Sequence, residues 1–192
     1  MQERLKGASR KAKPVSMGEP VVTIRQHQVI LGIDPSLRGT GYGVIRLAKP
    51  FPIVIAQGVV ASKPSWPRSR CLLNIAQTLR DLLKKTQPTV CAIEGLFFAQ
   101  NLQTALIMGE ARGVCLVAAA EAGLDIYEIA ARKVKQALVG YGAAQKLAVA
   151  KMVQRLLNLP EAPQADAADA LALAIAFTQE SRTCNLTPLK AI

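Results

Sequence analysis

Aromatic residues make up only 4% of this 192-residue chain, and it has a single histidine, His27. The first scarcity leaves Ala, Val, Ile and Leu to build the core. The second excludes chemistry that needs a pair of imidazoles, such as an HExxH zinc site. The four cysteines, at 71, 91, 115 and 184, show no CxxC spacing and follow no secretory signal. They read as reduced, structural thiols in a cytoplasmic protein. No stretch reaches 18 uninterrupted apolar residues, so no membrane-spanning helix is expected, and the run over 113–120 reads as a buried helix. Acids are scarce too: 13 in all, of which five are Asp (Asp34, Asp81, Asp125, Asp166, Asp169). Their positions are therefore informative.

What the chain does have is positive charge. The formal net charge is +11, on a sequence that is 51% apolar. The apolar share and the length fit one globular domain with a sizeable core. A single-sign excess of this size suits a polyanionic partner, nucleic acid above all; solubility alone is the plainer reading. Residues 1–27 hold Arg4, Lys6, Arg10, Lys11, Lys13 and Arg25 against Glu3 and Glu19. They show little apolar periodicity and read as a flexible basic extension, a source of nonspecific phosphate contacts. An over-long start, with Met17 as the initiator, is the dull alternative. The rest of the chain carries 18 basic and 11 acidic residues, so its basic character does not depend on that extension.

From Gln28 the patterning becomes regular. Apolar runs over 29–33, 44–47 and 53–60, separated by Gly and Pro, predict three strands joined by turns. Helical spacing follows over 66–85, a buried strand over 90–93, a long helix over 102–122 and a strand over 125–129. Helices over 130–139, 144–157 and 163–178 complete the domain, which spans 28–180 and leaves 181–192 as a C-terminal tail. Three strands in succession suggest an antiparallel meander, and strands alternating with helices suggest parallel additions. A mixed five-stranded sheet flanked by helices, the ribonuclease-H-like α/β layout, fits this order.

Within that layout the acids fall in particular places. Asp34 ends the first apolar run, just before Pro35; alone it would pass for a turn former. Glu94 ends a second buried strand, which a turn role explains less well. Asp166 and Asp169 sit three apart in PQADAADALALAIAF, on one helix face among Ala, Leu and Ile. Helix capping accounts for one Asp but not for two like charges side by side. Four carboxylates with no His or Cys among them make an all-oxygen set suited to Mg²⁺ or Mn²⁺. Two such ions about 4 Å apart serve in-line phosphodiester hydrolysis, and that substrate also needs the surrounding positive charge. The glycines at 39, 41 and 43 lack the GK[ST] ending of a phosphate loop.

The stretches ILGIDPSLRGTGYGVI (30–45), IEGLFFAQN (93–101), GEARGV (109–114), AARKVKQALVGYGAAQK (130–146) and PQADAADALALAIA (163–176) resemble, in the right order, the motifs of the RuvC family of bacterial Holliday-junction resolvases. The resemblance implies a ribonuclease-H-like homodimer that nicks four-way junction DNA symmetrically with Mg²⁺, two ions per subunit, in recombination and repair. It also implies RuvA- and RuvB-type branch-migration partners. By position, Asp34, Glu94, Asp166 and Asp169 match the catalytic, metal-holding acids. Phe97 matches an aromatic that stacks on a base at the junction, and Lys135, Lys146 and Arg112 match DNA-contacting basic positions. Core packing for Phe97 and a solvated surface role for each Lys are the plainer readings. A related nuclease acting on hybrids or flaps, and a DNA-binding protein without catalysis, stay open at this point.

Overall fold

The computed structural model describes residues 27–95, 101–180 and 190–192. The elements are β1 (Val29–Asp34), β2 (Gly39–Arg46), β3 (Ile53–Ala61), α1 (Arg68–Thr86), β4 (Val90–Glu94), α2 (Leu102–Glu121), β5 (Asp125–Ile129), α3 (Ala131–Val139), α4 (Lys146–Leu156), α5 (Ala165–Glu180) and β6 (Lys190–Ala191). They form one sheet in the order β3-β2-β1-β4-β5-β6. The meander β1–β2–β3 is antiparallel, and β4 and β5 join β1 in parallel, as expected. Among the described residues the sheet has six strands, where five were expected. The sixth is the two-residue β6, which pairs antiparallel with β5 inside the stretch read as a tail. A two-residue strand carries no period to read in advance. The expected basic extension, apart from His27, lies outside the described residues.

Two layers of helices cover the sheet. Alternate strand residues feed two separate cores, as a period of two requires. Leu31, Ile33, Cys91 and Ile93 pack against α1 and α2. Ile30, Ile45, Val90 and Ala92 pack against α3, α4 and α5. Cys71, Cys91 and Cys115 are free and buried. Burial raises the thiol pKa of Cys115 to about 12, with Arg112 pulling the other way, so the thiol stays neutral.

The second strand begins at Gly39 rather than Val44. The segment that read as a glycine-rich turn is half of a strand, and the glycines are needed by α5. A Cβ on Gly32 would lie 1.9 Å from the carbonyl oxygen of Ala170, and one on Gly41 would lie 2.0 Å from that of Asp166. A Cβ on Gly43 would lie 2.6 Å from the Leu171 side chain. Gly32 faces Gly43 across the β1–β2 ladder, and Asp34 faces Gly41. A strip of bare backbone therefore runs across two strands, and α5 lies on it. Almost every residue of α5 from Ala167 to Thr178 is buried.

The long helix α2 behaves differently. It turns Ala111, Cys115, Ala118 and Ala119 inward, and Arg80 of α1 meets Glu121 at its end with two contacts of 2.7 and 3.0 Å. By length and composition it is apolar enough to cross a membrane, and most of it is not buried within this fold. Leu102, Leu106 and Val117 are exposed, and a Cβ on Gly109 or Gly113 would meet nothing. These five residues recur at intervals of three and four, which places them on one face.

Gly32→Ala should test the contact beneath α5. Overpacking costs typically about 1–3 kcal/mol, and here the added methyl meets backbone that cannot rotate away. Denaturant unfolding should show a loss at or above the upper end of that range; an unchanged midpoint would remove this account of the glycine.

Candidate active site

The strand period puts two acids on one face before any helix is added. Ile30, Gly32 and Asp34 alternate on β1, and Val90, Ala92 and Glu94 alternate on β4. The strands are parallel neighbours with Gly32 opposite Ala92 and Ile33 opposite Ile93. Asp34 and Glu94 therefore leave the C-terminal ends of adjacent strands on the same side, the side covered by α5. The turn after Asp34 is tied by Thr40, which is fully buried: its hydroxyl donates to the carbonyl oxygen of Ser36 and accepts from the Ser36 amide at 3.2 Å.

Helix α5 brings the other two. Its first turn carries Asp166, where the helix dipole favours a negative charge, and Asp169 follows on the same face. One carboxylate oxygen each from Asp34, Asp166 and Asp169 lies within 4.8 Å of the others. Each of these residues is half-buried. The close packing on Gly32 and Gly41 sets that spacing, because any side chain there would lift α5 and its acids off the strand ends.

The gathered charge is visible in Asp34. Its pKa rises from 3.8 to about 8, first through burial, then through its hydrogen bond to Glu94 and the negative charges of Glu94 and Asp169. Lys146 acts in the opposite direction. The Nζ of Lys146 sits 3.0 Å from Asp169 Oδ2, and that contact raises the pKa of the lysine. Lys146 is the first residue of α4, where the dipole disfavours a cation. Its place is therefore explained by the carboxylates and not by helix stability.

A carboxyl pKa raised in part by neighbouring carboxylates marks a site with more negative charge than its own cations balance. The donors are all hard oxygen atoms, at a separation one small ion can bridge. The residues present thus fit a divalent cation of the Mg²⁺ class.

A family model described as crossover junction endodeoxyribonuclease RuvC matches residues 30–177. Crossover junction endodeoxyribonuclease RuvC of Vibrio cholerae is 46% identical over 155 residues, covering 81% of this chain and 89% of the relative. The Pasteurella multocida protein of the same description is 47% identical over 147 residues, covering 77% of each. The chain belongs to the RuvC family. Its structure is also similar to that of Thermus thermophilus RuvC in complex with a Holliday junction substrate, with a TM-score of 0.79, 34% identity and coverage of 86% of this chain and all of that one. A yeast mitochondrial Holliday junction resolvase shares the fold at 12% identity and a TM-score of 0.58, covering 80% of this chain and 78% of that one. The fold is thus the ribonuclease-H-like one of the family.

The residues singled out in the sequence fare differently. Asp34, Asp166, Asp169 and Lys146 come together, with Glu94 against Asp34. Lys135 is half-buried on α3, and among the described residues no ion pair joins it to the acids. Phe97 lies outside the described residues. Arg112 does not reach the open side of the site. It is 6% exposed, on the opposite face of the sheet, with its guanidinium paired to Glu128. A buried guanidinium must be paired in place, and the partners of Arg112 in this structure are the Glu94 carbonyl and Glu128, not the open side of the site. Sequence reasoning missed Thr40, Glu128 and the purpose of the glycines. Gly39, Gly41 and Gly43, spaced by two, were the available signal of a strand with one bare face.

The Asp34 shift has a measurable consequence. Its folded carboxyl keeps a proton up to about pH 8, whereas in the unfolded chain it loses one near its ordinary value of 3.8. The folded state binds more protons across that window, so the contribution to stability present below it is lost as pH rises. In chelator, thermal unfolding of the wild type should drop in midpoint between pH 5 and pH 9. Asp34→Asn should flatten that drop; an equally steep fall in the variant would refute the assignment.

Proposed function

We propose that this chain resolves Holliday junctions: it is an endonuclease that binds four-way junction DNA as a homodimer and hydrolyses one phosphodiester per subunit. The observation that carries this reading is the convergence of Asp34, Asp166 and Asp169 within 4.8 Å, with Glu94 on Asp34, in a chain of the RuvC family. Asp34, Glu94, Asp166 and Asp169 are the catalytic set and would hold two Mg²⁺ ions, with Mn²⁺ able to substitute. Bound there, Mg²⁺ supplies Lewis-acid charge at the scissile phosphate and makes water a better nucleophile near neutral pH.

The protein's own part is placement. Asp34 and Glu94 are held by strand ends and Asp166 and Asp169 by a helix start, so the donors sit on rigid elements. Asp34 must give up its proton to serve as a ligand, so metal loading releases a proton and strengthens with pH up to about 8. Lys146, beside Asp169, moderates the repulsion between the acids and is placed to meet the substrate's phosphates. Lys135, Phe97 and the basic residues before Gln28 are further DNA contacts in this reading. RuvA- and RuvB-type branch-migration proteins and a cytoplasmic location follow from the same assignment.

Two-fold symmetric junctions call for two identical sites. The α2 face bearing Leu102, Leu106, Gly109, Gly113 and Val117 supports a helix-to-helix dimer contact, since its glycines let a second backbone approach. Four of the five, Leu106 to Val117, lie in the middle of α2, among its small residues.

Cleavage of a synthetic four-way junction in Mg²⁺, with nick positions mapped, tests the function against RNA–DNA hybrids and flaps. Losing an outer partner of a metal ligand costs about 10- to 100-fold, so Asp34→Asn or Glu94→Gln should lose at least that much cleavage while junction binding survives. Normal cleavage by either variant sinks the site. For the dimer, Leu106→Asp should give a monomer in sedimentation and abolish paired nicks; an unaltered dimer would rule out the α2 face.

A further inference from the structure

On the side of the sheet away from the acids, a second group of charges ends at the same strand. Arg112 of α2 donates from Nη1 to the main-chain carbonyl oxygen of Glu94 at 3.2 Å and from Nη2 to Glu128 Oε2. Glu128 is on β5, and its other oxygen accepts from Lys190 Nζ of β6 at 3.3 Å. The chain leaves Glu94 through Gly95, whose amide donates to the Ile129 carbonyl at 3.0 Å. A Cβ on Gly95 would lie 3.2 Å from Glu128 Cγ. The glycine thus lets the glutamate side chain run close beneath the end of β4.

The arrangement asks for a reason. A guanidinium and a carboxylate are costly to bury, and replacing such a pair by apolar side chains is often no loss to stability. The rest of this core layer, around Ala111, Cys115 and Ile93, is apolar. One of the two guanidinium arms is spent on a backbone carbonyl, that of the single strand residue at this place whose side chain faces the acids. A planar fork is rigid, and holding two acceptors at once fixes both in direction as well as distance.

We propose that Arg112 and Glu128 form a clamp that positions Glu94 for metal binding, working through the strand end from behind the sheet. The inference rests on the reading of Glu94 as a metal ligand. Arg112 and Glu128 are positioning residues and touch neither metal nor DNA. Lys190 completes the clamp by satisfying the second oxygen of Glu128 at the sheet's edge.

The test is direct Mn²⁺ binding, followed by the electron paramagnetic resonance of the free ion. Mg²⁺ titration of junction cleavage, junction binding in chelator and thermal unfolding accompany it. Arg112→Met keeps the stem and removes the fork, Glu128→Gln keeps the shape and removes the charge, and Arg112→Lys keeps the charge with a single-point donor. In Arg112→Met and Glu128→Gln, Mn²⁺ affinity should fall, and the half-saturating Mg²⁺ should rise, by about 10- to 100-fold. Junction binding in chelator should stay at the wild-type level. Arg112→Lys should recover only part of the loss, because an ammonium cannot hold both acceptors in the plane of a fork. If Arg112→Met does not fold, Glu128→Gln and Arg112→Lys carry the measurement. Variants that lose thermal stability but keep wild-type metal affinity below their unfolding midpoint overturn the clamp. A wild type that neither binds Mn²⁺ nor cleaves the junction refutes the proposed function instead, and the two failures are distinguishable.

Discussion

The contact between α5 and the bare backbone of β1 and β2 is the constraint on which the rest depends. Gly32 and Gly41 leave no room for a side chain beneath Ala170 and Asp166, so the helix axis is held at a fixed height over the strand ends. The buried flank from Ala167 to Thr178 keeps it there. That height decides whether the carboxylates of a helix and a strand meet or miss each other. The same strip supplies the centre of the core and the geometry of the site, so packing and chemistry cannot be separated in this molecule.

Bringing the acids together works against folding. Two unit charges about 4 Å apart repel by roughly 4 kcal/mol at an effective dielectric near 20, a large part of the usual 5–15 kcal/mol of net stability. The molecule answers with a raised pKa at Asp34, which favours a proton there, and with Lys146 against Asp169. Both answers can be displaced, the proton by a cation and the lysine by movement into solvent, where its side chain already largely lies. A charged network behind the sheet, from Arg112 through Glu128 to Lys190, is by contrast buried at its Arg112 end and reaches solvent only at Lys190. The two faces thus differ in kind: the acids meet an exposed lysine directly, while the buried guanidinium keeps its partners inside the fold.

Much of this was legible in advance. The order of strands and helices followed from apolar period and from Gly and Pro, because those signals are local. Glu94 and Asp169 stood out because neither has a good structural reason to sit where it does. The turn reading of residues 39–43 failed because glycine marks both turns and strands that another backbone approaches, and only the partner helix separates the two. β6 was illegible since two residues carry no period to read. The direction in which Arg112 faces was not legible, because a motif shows residue type and order but not which way a helix faces.

The sequence by itself determined the element order, the family and which acids lack a structural reason for their place, since each depends on residue type and spacing along the chain. Tertiary structure decided the rest: that α5 descends onto glycine, that burial and Glu94 raise the pKa of Asp34, that Lys146 reaches Asp169 and that Arg112 turns to Glu128. The reason is distance. Charge interactions, burial and close backbone contact join residues far apart in sequence, such as Asp34 and Asp169 or Gly32 and Ala170, and no local pattern records how near they come.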